Sequence, residues 1–96
     1  MVLKKLDNST VQGENFLVSV PGIHEVFYRE GEKNLSIWIE GGWNEQGEHD
    51  WLVYARDLKG WLPPHDLDPF PPEEKARILN NISQSLSLLD MKHQLI

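Results

Sequence analysis

The sequence predicts an α+β fold: an antiparallel sheet of four to five strands with one helix, in the C-terminal half, packed across one face, in the order β-β-β-β-α-β. Three observations predict it. Apolar residues alternate with period two at 15–20, 35–40 and 51–56. A single long stretch, 73–90, repeats them at helical spacing. The stiff, proline-rich "WLPPHDLDPFPPEE" (61–74) separates the two patterns. Strands followed by one amphipathic helix make a sheet with the helix on one side.

The first fourteen residues are polar and patternless apart from Val2, Leu3, Leu6 and Val11, and read as a loosely ordered lead-in with at most one short strand. In "NFLVSV" (15–20), Phe16, Val18 and Val20 alternate, and Pro21-Gly22 stops the strand. "IHEVFYRE" (23–30) is rich in β-branched and aromatic residues, and "GEKN" follows as a turn. "LSIWIE" (35–40) is the cleanest strand, with Leu35, Ile37 and Ile39 on one side and Ser36, Trp38 and Glu40 on the other. The two segments form a hairpin across that turn. "GGWNEQGEHD" (41–50) reads as a polar loop, and "WLVYAR" (51–56) as a central strand with both faces largely apolar.

In the helix, Ile78, Leu79, Ile82, Leu86 and Leu89 make one apolar stripe. Pro72 suits the first turn, where a missing N–H costs nothing, and Glu73 and Glu74 stand where the helix dipole favours negative charge. Asp90 marks the end, and "MKHQLI" (91–96) adds a strand at the sheet edge.

At 96 residues the expectation is a single domain, 1–96. Fifteen acidic against nine basic side chains give a formal charge of −6, which argues against direct nucleic-acid binding and fits a basic partner. With no cysteine, disulfides, thiolate zinc sites and thiol catalysis are excluded. The start lacks the apolar run of a secretory signal, and no stretch has the roughly twenty apolar residues of a membrane span, so a soluble, cytoplasmic protein with no membrane contact is expected.

The C-terminal half resembles the immunity protein 74 family of bacterial polymorphic-toxin systems. The resemblance rests on Val53 and Tyr54, on the W-x-P-P-H-D run of Trp61, Pro63, Pro64, His65 and Asp66, and on the helix pattern of Glu73, Glu74, Arg77, Ile78, Asn81, Ile82 and Leu86. It covers residues 53–96. Phe70, Pro71 and Pro72 stand where the family usually places Ser or Thr, so a side-chain helix cap is replaced by proline stiffness. The resemblance implies a small protein that binds and neutralises a cognate protein toxin without catalysis or cofactor. It brings no catalytic residue with it.

Several residues invite chemistry. His65 with Asp66 or Asp68 suggests a general base, but neighbours on an extended chain point apart, and no nucleophile motif accompanies them. Trp61, Pro63, Pro64, His65 and Asp66 therefore read as a structural motif. His24, His49, His65 and His93 are isolated and lack metal-ligand spacing, so no metal is expected. The expected partner-binding surface is aromatic and acidic. Trp38, with Tyr28 and Tyr54, would form a patch on the face the helix leaves open, and Trp43 would be an exposed anchor ringed by Glu40, Glu45, Glu48 and Asp50. Such a surface suits a basic toxin, for example a nuclease with its cationic active site. The same features also fit a solvated surface, or an oligomerisation module such as a homodimer paired along strand 91–96.

Overall fold

In a computed structural model, residues 2–96 form seven strands, a short 3-10 turn and one α-helix. The strands are β1 (Lys4–Asp7), β2 (Thr10–Gln12), β3 (Leu17–Ser19), β4 (Glu25–Glu30), β5 (Lys33–Trp43), β6 (His49–Val53) and β7 (His93–Leu95); the helix, α1, spans Pro72–Leu88. They lie side by side in sequence order, β1 to β7. Every pair is antiparallel except β6–β7, which is parallel. The α+β class stands, with a larger sheet than the four to five strands expected.

The surplus comes mainly from the N-terminal segment. Asp7 Oδ1 accepts hydrogen bonds from the Ser9 backbone N–H (2.8 Å) and hydroxyl (3.2 Å), a side-chain-stabilised turn that folds β1 back on β2. β1 buries nothing, so no alternation betrays it, and its two lysines suit a sheet edge. Val11 on β2 is fully buried and pairs with Val18. The parallel last pair follows from the connection: α1 lies between β6 and β7, and a helical crossover returns the chain in the same direction.

β5 organises the sheet. Its first half, Lys33 to Trp38, pairs with β4, and its second half, Ile39 to Trp43, pairs with β6. The two-residue turn Gly31-Glu32 sets the register; Gly31 has φ +63°, which a hairpin of this length requires at its first central position. Leu35, Ile37 and Ile39 face α1 and are buried with Val26, Tyr28 and Val53. From the helix, Ile78, Ile82 and Leu86 are fully buried, each contributing roughly 2 kcal/mol of hydrophobic stabilisation. α1 starts on Pro71 without a side-chain cap. It ends where Asp90 turns to φ 60° and the Met91 N–H reaches back to the Leu86 carbonyl (2.9 Å).

The proline-rich segment is not extended. It makes two successive turns, closed by His65 N–H to Leu62 carbonyl and Asp68 N–H to His65 carbonyl, both 3.0 Å, with the Pro63–Pro64 bond cis. The Leu62 N–H donates to the Asn34 carbonyl (2.7 Å), which pins the segment to the start of β5.

Candidate functional site

Side chains at even positions on β5 project from the face that α1 does not cover. Trp38 sits where β5 passes from β4 to β6, and half of it (51%) is exposed. Its indole Nε1–H donates to Glu40 Oε1 (3.0 Å), and the Tyr54 hydroxyl donates to Glu40 Oε2 (3.1 Å). These bonds hold the Glu40 carboxyl below its ordinary range, Trp38 first and Tyr54 second, and push the Tyr54 hydroxyl up. The His24 ring stacks flat on Trp38, with centroids 4.8 Å apart and planes 1° from parallel. The Arg56 guanidinium lies over the Tyr54 ring, 5.7 Å from its centroid. Phe27, 39% exposed, shares this outer face through its pairing with Ser36. The result is a pre-ordered carboxylate framed by aromatic rings.

Trp43 does not belong to that surface. It stands five residues from Trp38 on a continuous strand, an odd separation, and so points to the opposite face. There it is exposed (76%), as the sequence predicts, and its ring meets His49 edge-on (5.4 Å between centroids), which in turn meets Trp51 (5.2 Å). Gly41 leaves room for these rings: a Cβ there would lie 2.7 Å from His49 Nε2. The segment expected to be a loop is therefore partly strand.

The ring of carboxylates around Trp43 is likewise dispersed. Glu40 lies on the outer face. Asp50 is buried; Gln94 (3.0 Å) and Asn44 (3.3 Å) donate to its Oδ2 and hold its carboxyl below the ordinary range. Glu48 pairs with Lys92 at 3.2 Å. Glu45 is exposed in the β5–β6 turn, whose form is set by Asn44 Oδ1 accepting from the Gln46 and Glu48 N–H groups.

Tyr28 also departs from the expected patch. It pairs with Leu35, faces α1, and is fully buried between Phe16 and Trp61. Val26, Phe27 and Tyr28 are all apolar, so only the register reveals which of them point inward. The Tyr28 hydroxyl donates to Glu30 Oε2 (2.6 Å) and accepts from Asn81 Nδ2 (3.1 Å). Arg77 completes the network, with Nη1 and Nη2 donating to the two Glu30 oxygens at 3.1 and 3.0 Å, and Nη2 also reaching Glu74 (3.3 Å). Glu74, Arg77 and Asn81 of the helix pattern thus fasten α1 to the sheet.

The W-x-P-P-H-D run is architectural in the same sense. Trp61 is buried against Phe70 and Tyr28. His65 Nδ1–H donates to Asp68 Oδ2 (3.1 Å), not to Asp66, because the turn brings position i+3 alongside; Lys33 Nζ reaches the same oxygen (3.2 Å). Those two partners, Lys33 before His65, hold the Asp68 carboxyl low. Asp66 is exposed. A cavity of about 440 Å³ lies beside the run, lined by Lys33, Trp61, His65, Glu30, Glu32 and Glu74, and of these glutamates Glu30 and Glu74 are bound to Arg77.

Among the described residues, no three His, Asp or Glu side chains are grouped to hold a metal, and no helix is long and apolar enough to cross a membrane. His24, Phe27 and Arg56 are the members of the outer surface that the sequence reading missed. The β4–β5 register, which sets Glu25 opposite Trp38, would have placed His24 and Phe27 near it.

No curated protein and no solved structure matches the chain. A family model does: that of Immunity protein 74, over residues 23–94. The match takes in β4 to β6, the outer-face residues from His24 to Arg56, the two-turn segment and α1. It spans three quarters of the 96 residues and reaches well upstream of the W-x-P-P-H-D run. The chain belongs to the Immunity protein 74 family.

Proposed function

We propose that this protein is an immunity protein that binds a cognate toxin and neutralises it by occupying it, with no chemistry of its own. Family membership supports the class. One observation carries the mode of action: Trp38 is half exposed, yet its indole N–H and the neighbouring Tyr54 hydroxyl are both committed to Glu40. A rigid aromatic surface that keeps its polar groups satisfied loses little entropy on docking, which is how interface anchors work. The formal charge of −6 favours a basic toxin, a nuclease among them, and steers its capture. The protein then meets the toxin directly in the cytoplasm, with neither nucleic acid nor membrane between them.

Co-expression with the candidate toxin encoded beside it tests this reading. The two proteins should co-purify and growth should be restored; a toxin that stays lethal and elutes alone would end the proposal. A second reading, a homodimer paired along β7, is favoured by the exposed Leu95 and Ile96 at that sheet edge. Light scattering separates the two readings, since immunity by binding expects a monomer that enters a complex with toxin.

A further inference from the structure

We infer that the outer face seats an arginine side chain of the partner on the Glu40 carboxylate, between Trp38 and Tyr54. This deepens the reading above and rests on it, since it supposes a protein partner. An ionised carboxylate offers about four lone-pair sites. Glu40 uses one on each oxygen, to Trp38 Nε1 and to the Tyr54 hydroxyl. One site on each oxygen is left, the pair that a planar guanidinium fork takes.

Among the described residues, none of the ion pairs includes Glu40. By contrast, Glu30 already holds Arg77, Asp68 holds Lys33 and Glu48 holds Lys92. Glu40 is thus a fixed negative charge beside two aromatic rings, in no ion pair, with the His24 imidazole as the basic group that lies near it. The depressed titration of its carboxyl keeps it charged through the neutral range.

An aromatic ring here already draws a cation: Arg56 lies over the Tyr54 ring while its ion contact, to Asp57, is a loose 3.9 Å, and the His24 ring covers one face of Trp38. Arg56 is exposed, so it yields to an incoming cation without leaving a buried charge. Arginine suits the seat better than lysine, because the guanidinium is flat, forked and more weakly hydrated than an ammonium. Phosphate-bearing partners do not suit it, because an acidic chain repels them.

The test needs no toxin. The ¹⁵N-labelled protein is titrated with the blocked peptide acetyl-Gly-Arg-Gly-amide, then with the same peptide carrying citrulline, which keeps the shape of arginine without its charge. The indole N–H signals report on Trp38 separately from Trp43, Trp51 and Trp61. The expected result is a saturable shift of the Trp38 signal at millimolar arginine peptide, weakened about tenfold or more with citrulline and in Glu40→Gln. In the wild type the arginine response should also weaken as salt rises, which keeps the test independent of how Glu40→Gln folds. An equal response to citrulline, an unchanged response in Glu40→Gln, a salt-insensitive response, or no saturable Trp38 shift would each overturn the arginine seat. Such a failure leaves the co-expression result standing, and a failed co-expression leaves this titration interpretable.

Discussion

Replacing Tyr28 by Phe removes one oxygen from the centre of the network that docks α1 on the sheet. The ring is fully buried between Phe16 and Trp61, so Phe keeps the packing and creates no cavity to speak of. Two interactions go: the 2.6 Å bond donated to Glu30, and the acceptor for Asn81 Nδ2. A hydrogen bond to a charged acceptor contributes about 1.5–3 kcal/mol, and a buried amide left without a partner costs about 1–3 kcal/mol. The Glu30 side chain is one-fifth exposed (21%) and keeps Arg77, so its share lies at the low end. Asn81 is only 5% exposed and bears its share in full. The sum is about 2.5–4.5 kcal/mol, a large part of the total stability of a small domain. Urea unfolding followed by tryptophan fluorescence and far-ultraviolet circular dichroism measures it; the midpoint should fall with the slope unchanged. Adding Asn81→Leu to Tyr28→Phe should recover much of the loss, because no orphaned amide is then left. A Tyr28→Phe variant within about 0.5 kcal/mol of wild type would refute the role given to this network.

The same network makes stability depend on pH. Burial raises the Glu30 carboxyl, but the bonds from Arg77 and Tyr28 outweigh it and the net shift is downward. A depressed folded pKa stabilises above the ordinary value of 4.5 and loses that contribution as pH falls through the folded value. Urea midpoints should therefore drop below about pH 4.5, and Arg77→Met should flatten that drop, so that the gap between the two proteins closes in acid. Ile82→Ala, at a fully buried position under the sheet, should cost about 2–5 kcal/mol in the same assay. His65→Ala loses only a partly exposed contact to Asp68, so stability should change by under about 1 kcal/mol and toxin neutralisation should persist. Lost neutralisation in that folded variant would revive catalysis at His65.

What the sequence revealed and what it hid divide along physical lines. The helix was legible because a buried stripe leaves a 3.6-residue period, and its ends because proline and a residue suited to positive φ mark them. Strand 35–40 was legible because one of its faces is wholly buried. β1 buries no side chain, so it leaves no period to read. Gly41 and Gly42 look like a loop but serve as strand positions where the His49, Trp51 and Leu52 side chains come close. That misreading hid the parity that puts Trp38 and Trp43 on opposite faces. Tyr28 and Phe27 are equally plausible core residues until the register sets Tyr28 against Leu35. The turns at 62–68 leave no signal in the sequence because proline favours extended backbone, whereas hydrogen bonds between Leu62, His65 and Asp68 coil the chain.

If the outer face around Trp38 and Glu40 binds the toxin, the affinity must follow those two side chains. Isothermal titration of the cognate toxin with wild type, with the double variant Trp38→Ala/Glu40→Gln, and with Trp43→Ala measures this. Interface anchors contribute about 2 kcal/mol or more each, so the double variant, losing about 4 kcal/mol, should bind about 700-fold more weakly. Trp43→Ala, on the opposite face, should bind like wild type. Wild-type affinity in the double variant, or its loss in Trp43→Ala alone, would mean that the toxin docks elsewhere.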